Sequence, residues 1–536
     1  MKRQPKTTQP KKKFSRILFS RFPFIAIAII FAFILEFLII YGLFVLMHLI
    51  LREIFPAAEG WIQFVFVAVQ WIVTAIAAVH IINRDMLPEA KIPWLFVVII
   101  FNVFGVAIYI VFSGNRPSRR QRRKFQKLRE KAQRHSRGNA TEKEIASQMG
   151  DWASVSRALS LKNKTAVVYQ NTKTEYFPVG EAFLERLLGD LKEAKQYIFL
   201  EYFILEYGQM WGSVLEILRQ KVKEGVEVRI LYDDIGSMGY VRSGYYKILQ
   251  KEGIHCRKFS PFVPVVSNIH NNRDHRKIAV IDGKVGYTGG INLGDEYINV
   301  KHPFGHWKDT AVRLEGEAVR TFVLMFLRFY NLSKETTEDF SAYLPERYEQ
   351  FEGEGMVQIY GDGPSPIYQH HLGEDVYINV LNQAKHYVWI MTPYLIITYR
   401  MRAALLSAAD RGVDVRIITP HIPDKKLAYS ITCSNYLALI KGGVQIYEYT
   451  PGFIHAKSFL ADDEIGIVGT INLDYRSLVH HYEDAVLMHG TSANEQLKAD
   501  YEETFRLCAK QTEEDAKKSV VSRFMSEIAK VFAPLF

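Results

Sequence analysis

The chain has 536 residues, room for several domains of about 100–200 residues each, and its 48% apolar and 23% charged content is that of a folded protein, not a disordered or fibrous one. Its formal charge of +10 is concentrated: residues 1–21 carry eight Lys/Arg and no acid, and residues 114–137 carry eleven with only Glu130, so the remainder carries −8. That placement argues against a nucleic-acid partner, which wants its basic footprint beside the active site. It suits anionic membrane lipids, to which each cation near the surface contributes roughly 1 kcal/mol.

After the basic tail 1–21, a region at 22–113 holds three apolar runs, at about 22–51, 61–82 and 92–112. Each is long enough for a transmembrane helix of about 20 residues, and the first is too long for the core of a cleaved signal. Trp61 and Trp94 fall near run ends, where interfacial aromatics collect. Glu36 inside the first run is a candidate functional acid. The basic segments on both sides of the region each ask to be cytoplasmic. That requires an even number of crossings from three runs, so one run is re-entrant or interfacial, or the tail lies outside. The multi-pass arrangement expected places the catalytic half in the cytoplasm. Cys256, Cys433 and Cys508 agree: they are scattered, make no disulfide framework and no paired metal motif, and suit a reducing compartment.

Residues 114–150 read as a basic linker, in which Arg119, Arg120, Arg122 and Arg123 form either a helix lying on anionic headgroups or a solvated connector. Beyond it the chain repeats itself. Tyr197–Glu201 and Tyr387–Met391 are matching apolar runs rich in strand formers; Gly225–Leu231 and Gly412–Ile418 are a second matching pair, each opened by a helix-ending glycine. Strands alternating with helices predict α/β domains with a substantially parallel sheet. Two such domains, at about 151–350 and 351–500, are expected to pack as a pseudo-dimer, followed by a helical segment at 501–536. In that last segment Val521, Phe524, Met525, Ile528, Val531, Phe532 and Leu535 form an apolar stripe, suited to the membrane interface or to the protein's own core.

The repeat carries a reactive pattern. His275-x-Lys277, Asp282 and Gly289-Gly290-x-Asn292 recur as His455-x-Lys457, Asp462 and Gly469-Thr470-x-Asn472 at identical offsets. Strand alternation points each His and Lys to one side, and a two-fold axis between the copies would gather all four. One imidazole then attacks phosphorus and the other protonates the leaving alkoxide and deprotonates the acceptor. Lys277, Lys457, Asn292 and Asn472 donate to the phosphoryl oxygens. The lysines supply the positive charge, so the scheme calls for no metal and no cofactor. Asp282 and Asp462 read as supports within the motif. Matching the Ala-Val pairs after each motif aligns Asp309 with Glu483, and these carboxylates are expected to orient His275 and His455 respectively. His270, His302, His370, His371 and His480 carry no comparable pattern. The chemistry is that of phosphodiesters, and either histidine can be the nucleophile.

These motifs resemble the HKD signature of the phospholipase D superfamily, and among its members the bacterial cardiolipin synthases. Arg273-Asp-His275-x-Lys277 through Asn292 resembles their first motif, and Gly469-Thr470-x-Asn472-Leu-Asp474-x-Arg476-Ser477 their second. Gly361–Pro364, Thr392–Tyr394, Pro93-Trp94 and Ala533–Leu535 are similar too. The long first apolar run and the Ile-Ile-Thr after Tyr394 depart from the pattern. The resemblance implies a membrane-bound transferase making cardiolipin from two phosphatidylglycerols, with His275 as nucleophile and His455 as acid and base. A hydrolase or a transferase using another alcohol would need the same residues; a nuclease or an inert scaffold fits the intact motifs and membrane runs less well.

Overall fold

In a computed structural model of the chain, residues 59–113, 118–261, 271–332, 338–365, 367–368 and 371–517 are described, with isolated positions in 42–50 and 526–531. Glu36, nearly all of the first apolar run and most of the C-terminal stripe lie outside the described residues. The chain divides into two units, Met1–Gly114 and Asn115–Phe536.

In the first unit the second and third apolar runs become the helices Glu59–Asn83 and Pro88–Phe112. Their cores, Phe64–Asn83 and Pro88–Phe112, have mean hydropathies of 2.3 and 2.8 and are long enough to span a bilayer. Ile72, Ile76, Phe96 and Ile100 face outward, as lipid-exposed side chains do, while the polar groups of the hairpin satisfy one another. Thr74 hydrogen-bonds Asn102, and Arg84 donates to Tyr109 Oη at 3.1 Å and to Ser113 Oγ at 3.0 Å.

The second unit is built on two sheets of one topology. The first runs Lys173–Phe177, Ala311–Glu315, Val285–Gly289, Ile278–Ile281, Tyr197–Tyr202, Glu227–Asp233, His255–Phe259. The second repeats it as Met356–Asp362, Glu483–His489, Ile465–Gly469, Ser458–Ala461, Tyr387–Met391, Asp414–Pro420, Gln445–Tyr449, with Val168–Gln170 and Cys508–Lys510 added at its edges. The duplicated α/β architecture is therefore present, but the sheets are mixed. In each, only the last three strands of the shared order run parallel, and the other pairings are antiparallel. The cause is local. The strand after each His-x-Lys ends in a tight turn, Asp282-Gly283 or Asp462-Asp463, with both central residues at positive φ. That is the hairpin geometry whose twist returns the chain antiparallel.

The helix Val319–Tyr330 is buried on nearly every side, as expected of one that is apolar all round. Phe322, Val323 and Phe326 share a core with Phe199 and Ile278 of the first sheet and Val357, Ile359 and Val486 of the second. Phe326 stacks on Phe199 at 4.5 Å. The two halves are thus one hydrophobic body.

Segments on either side of the expected boundaries pack onto both halves. Within 114–150, Arg119–His135 is a helix that docks on the rest of the unit through one face and leaves Arg119, Arg120 and Arg123 exposed. Its Phe125 and Ala132 are buried, Phe125 packs edge-on to Phe329 at 5.3 Å, and Lys124 donates to the carbonyl of Leu332. The basic residues masked an apolar stripe that docks on the buried helix. Met149, Trp152 and Leu159 belong to the core of the second half, with Leu372, Val376 and Leu405. The strand Val168–Gln170 pairs with Met356–Asp362 before Lys173–Phe177 crosses to the first sheet. At the other end Ser492–Arg506 runs through residue 500 as one helix.

Candidate active site

His275 and Lys277 lie in the extended lead into Ile278–Ile281, and His455 and Lys457 in the lead into Ser458–Ala461. All four side chains are buried. Each histidine is held at Nδ1 by a carboxylate, but the partners are crossed with respect to the sequence expectation. His275 Nδ1 is 2.9 Å from Glu483 Oε2, and His455 Nδ1 is 2.6 Å from Asp309 Oδ2. The backbone explains the exchange. His275 N donates to Tyr482 O (2.9 Å) and Tyr482 N to Arg273 O (2.8 Å), while His455 N donates to Lys308 O (2.7 Å). His306–Lys308 and Gly452–Ile454 form a two-stranded parallel ladder. The segment preceding each carboxylate is therefore laced to the segment preceding the other half's histidine. Alignment within the repeat paired the carboxylates correctly with each other, and only the interface decided which histidine each one serves.

The two carboxylates are seated differently. A Cβ on Gly290 would lie 2.0 Å from Asp309 Oδ1, so glycine there makes room for the shorter acid. At the matching position of the second copy, Thr470 Oγ1 donates to Glu483 Oε2. Burial pushes Asp309 up to about 7, against the pull of Lys457 and other cations. Burial also acts on Glu483, but the neighbouring His275, through its charge and its hydrogen bond, and the adjacent His481 outweigh it and hold it well below the usual carboxylate range. Both histidines are pushed well below the usual imidazole range, chiefly by burial.

Burial likewise lowers Lys277 to about 8 and Lys457 to about 7, since removing an ammonium from water disfavours its charge. Each lysine donates to the carbonyl of its own histidine. Asn292 and Asn472 are buried beside them and already engaged: Asn292 donates to Tyr297 Oη (2.7 Å) and accepts from Ile204 N (2.9 Å), and Asn472 donates to Asp474 Oδ2 (3.0 Å). Asp282 and Asp462, grouped in the sequence with the catalytic residues, belong to the turns at the far ends of their strands. Asp282 accepts from the backbone N–H of Lys195, Gln196 and Tyr197 at 2.7–2.9 Å. Asp462 does the same for Lys385, His386 and Tyr387. With three donors each, they pin the start of the neighbouring strand and do not reach the reacting groups.

Several neighbours escaped the sequence reading. His481 lies 5.2 Å, ring to ring, from His275, and Trp307 lies 5.3 Å from His455. Each stands two residues before its carboxylate, so the internal repeat held the signal that they are equivalent. Behind the first motif Arg276 is buried against Glu201 and Asp274, where the second copy has Met391 and Ala456. Such a pair is invisible in a linear pattern.

A family model described as cardiolipin synthase, PLD-like domain, matches residues 187–304 and 377–505, and one described as phospholipase D-nuclease N-terminal matches 72–114. A cardiolipin synthase of Halalkalibacterium halodurans is 33% identical over 83% of this chain and 88% of its own length, and one of Alkalihalophilus pseudofirmus is 34% identical over 77% and 82%. The chain belongs to the cardiolipin synthase family of the phospholipase D superfamily. Like those synthases it is a phosphatidyltransferase, and its apolar helices make it a membrane protein. A Streptococcus mutans protein described as uncharacterized is 49% identical over 69% of this chain and 79% of its own. The crystal structure of phosphatidylserine synthase from Haemophilus influenzae superposes with a TM-score of 0.53 over 68% of this chain and 93% of that one, at 13% identity, and so shares the fold.

Proposed function

We propose that this cardiolipin synthase-family protein transfers the phosphatidyl group of one phosphatidylglycerol to a second, releasing glycerol, through a phosphohistidine on His275. The crossed, unequal pairs His275–Glu483 and His455–Asp309 carry the reading. An ionised Glu483 accepts the Nδ1 proton of His275 and leaves the Nε2 lone pair free to attack. Asp309, whose proton is held up by burial, can donate to Nδ1 of His455 and keep the proton of that ring on Nε2, the form a general acid needs.

Attack by His275 Nε2 forms the N–P bond and breaks the bond to the glycerol oxygen, which takes the Nε2 proton of His455 as Asp309 passes its own proton to Nδ1, so the ring stays neutral. The Nε2 lone pair thus exposed accepts the proton of the second phosphatidylglycerol's hydroxyl, and Nδ1 returns its proton to Asp309, as the acceptor oxygen displaces His275 and forms cardiolipin. Lys277 and Lys457 balance the charge on the non-bridging oxygens. The residues Asn292 and Asn472 hold the loops beside them. The apolar helices anchor the chain in the bilayer that contains both lipid substrates, as a multi-pass protein with its catalytic half in the cytoplasm and its basic segments toward anionic lipid.

The test is to incubate purified protein with phosphatidylglycerol alone. Cardiolipin and glycerol in equal amounts are expected. Phosphatidic acid as the only product would replace this reading with a hydrolase.

A further inference from the structure

We infer that His275, His481 and Glu483 form an inhibitory binding site for a zinc-class divalent cation, one that silences the attacking histidine when filled. The inhibitory half of this inference rests on the role proposed for His275; the site itself does not. One ligand atom from each of the three lies within 4.8 Å of the others, and all three residues are buried. Glu483 is placed centrally: Oε2 is 2.9 Å from His275 Nδ1 and Oε1 is 3.5 Å from His481 Nδ1. An ion bound tetrahedrally at about 2.0–2.2 Å keeps its ligand atoms about 3.3–3.6 Å apart and two imidazole centroids roughly 5 Å apart. The rings of His275 and His481 are 5.2 Å apart, so small side-chain adjustments bring all three onto one centre.

A second observation points the same way. His481 Nδ1 and Glu483 Oε1 are buried and face each other at 3.5 Å without a hydrogen bond. A buried N/O pair so placed, with no hydrogen bond to either atom, is what a borderline cation satisfies. The duplication supplies an internal control. Trp307 holds the position beside His455 that His481 holds beside His275, and an indole offers no ligand. Among the described residues the site is therefore found on one side of the composite centre.

Its consequence follows from the tautomer. A cation at Nδ1 of His275 displaces the proton given to Glu483. The neutral ring then carries its proton on Nε2, so the lone pair that attacks phosphorus is gone while the charge of the ring is unchanged. The third ligand, Glu483, is withdrawn from its orienting role at the same time. Metal and phosphatidyl transfer compete for one imidazole.

The experiment uses the full chain in detergent, titrated with Co2+ and then Zn2+. Wild type is expected to bind one Co2+ per chain with the intense visible absorption of a four-coordinate site, and Zn2+ is expected to displace it. His481→Gln and His481→Trp should each weaken binding by at least about 100-fold, the upper end of what loss of a metal's outer partner costs, while His480→Gln binds as wild type. Zn2+ should abolish cardiolipin formation at the midpoint of Co2+ displacement, and EDTA should restore it. Co2+ binding indifferent to both His481 substitutions would overturn the site, and so would the absence of such binding in wild type. Saturation that leaves turnover intact would overturn the inhibition. If phosphatidylglycerol is not a substrate, the functional reading fails, and the Co2+ spectrum still decides the site.

Discussion

Asp309, from the first half of the duplication, holds Nδ1 of His455, from the second, at 2.6 Å. With the reciprocal contact of Glu483 with His275, each histidine–carboxylate pair draws one member from each half. Replacing Asp309 by Asn should therefore impair the function of His455, leaving His275 set. With the acid compromised, turnover of phosphatidylglycerol should fall by about 10²–10⁴-fold, the usual worth of general acid–base catalysis. The Glu483→Gln exchange should instead abolish the phosphohistidine, because the tautomer of His275 is lost. Acid-quenched samples with labelled lipid distinguish the two, and equal trapping in both variants would contradict the division of roles.

The lowered lysines set an upper pH limit. Ammonium charge on Lys457 and Lys277 is lost as pH rises through about 7 and 8, and with it the stabilisation of the phosphoryl oxygens. Below neutrality the depressed imidazoles stay uncharged well past the usual range, so activity should persist into mildly acidic solution and fall on an alkaline limb near 7–8. The Lys457→Arg substitution keeps its charge at any such pH and should move that limb upward even where overall activity drops. A limb unchanged in position would show that the lysines do not set it.

Asp282 and Asp462 should matter to folding and not to chemistry. Each carboxylate accepts three backbone N–H groups, so Asp282→Ala removes three hydrogen bonds to a charged acceptor, at a cost of roughly 1–3 kcal/mol in all. A lowered midpoint of thermal unfolding with near-normal turnover per folded molecule is expected. Loss of turnover without loss of stability would return these residues to the active site.

Gly290 is predicted to be intolerant of any side chain. With a Cβ only 2.0 Å from Asp309 Oδ1, Gly290→Ala must push the carboxylate away from His455. Turnover should fall by more than the small change in stability explains, and the same kinetic signature as Asp309→Asn is expected in rapid-quench experiments.

The docked helix Arg119–His135 offers a test of the fold. Phe125 is buried against Phe329 and near Tyr482, with ring centroids at 5.3 and 6.1 Å. Truncation to alanine should cost about 3–5 kcal/mol, as large-to-small changes at buried aromatics do. Because Tyr482 supplies the backbone that fixes His275, urea unfolding and the His275–Glu483 contact should weaken together.

Much of this protein could be read from the order of its residues. The repeat of His, Lys and Asn at fixed offsets located both halves of the site. Aligned Ala-Val pairs found Asp309 and Glu483, and the length of two apolar runs gave the membrane helices, because these features depend on local spacing and on burial of one side chain at a time. What crossed between the halves was decided by the tertiary structure. The exchange of Asp309 and Glu483 follows from backbone ladders between Tyr482 and Arg273 and between His306–Lys308 and Gly452–Ile454. The docking of a strongly basic helix through Phe125 and the transfer of Val168–Gln170 to the second sheet have the same origin. Each depends on which surfaces meet when two similar sheets close on one buried helix, and contacts between residues so far apart in the chain leave no periodic trace in its sequence.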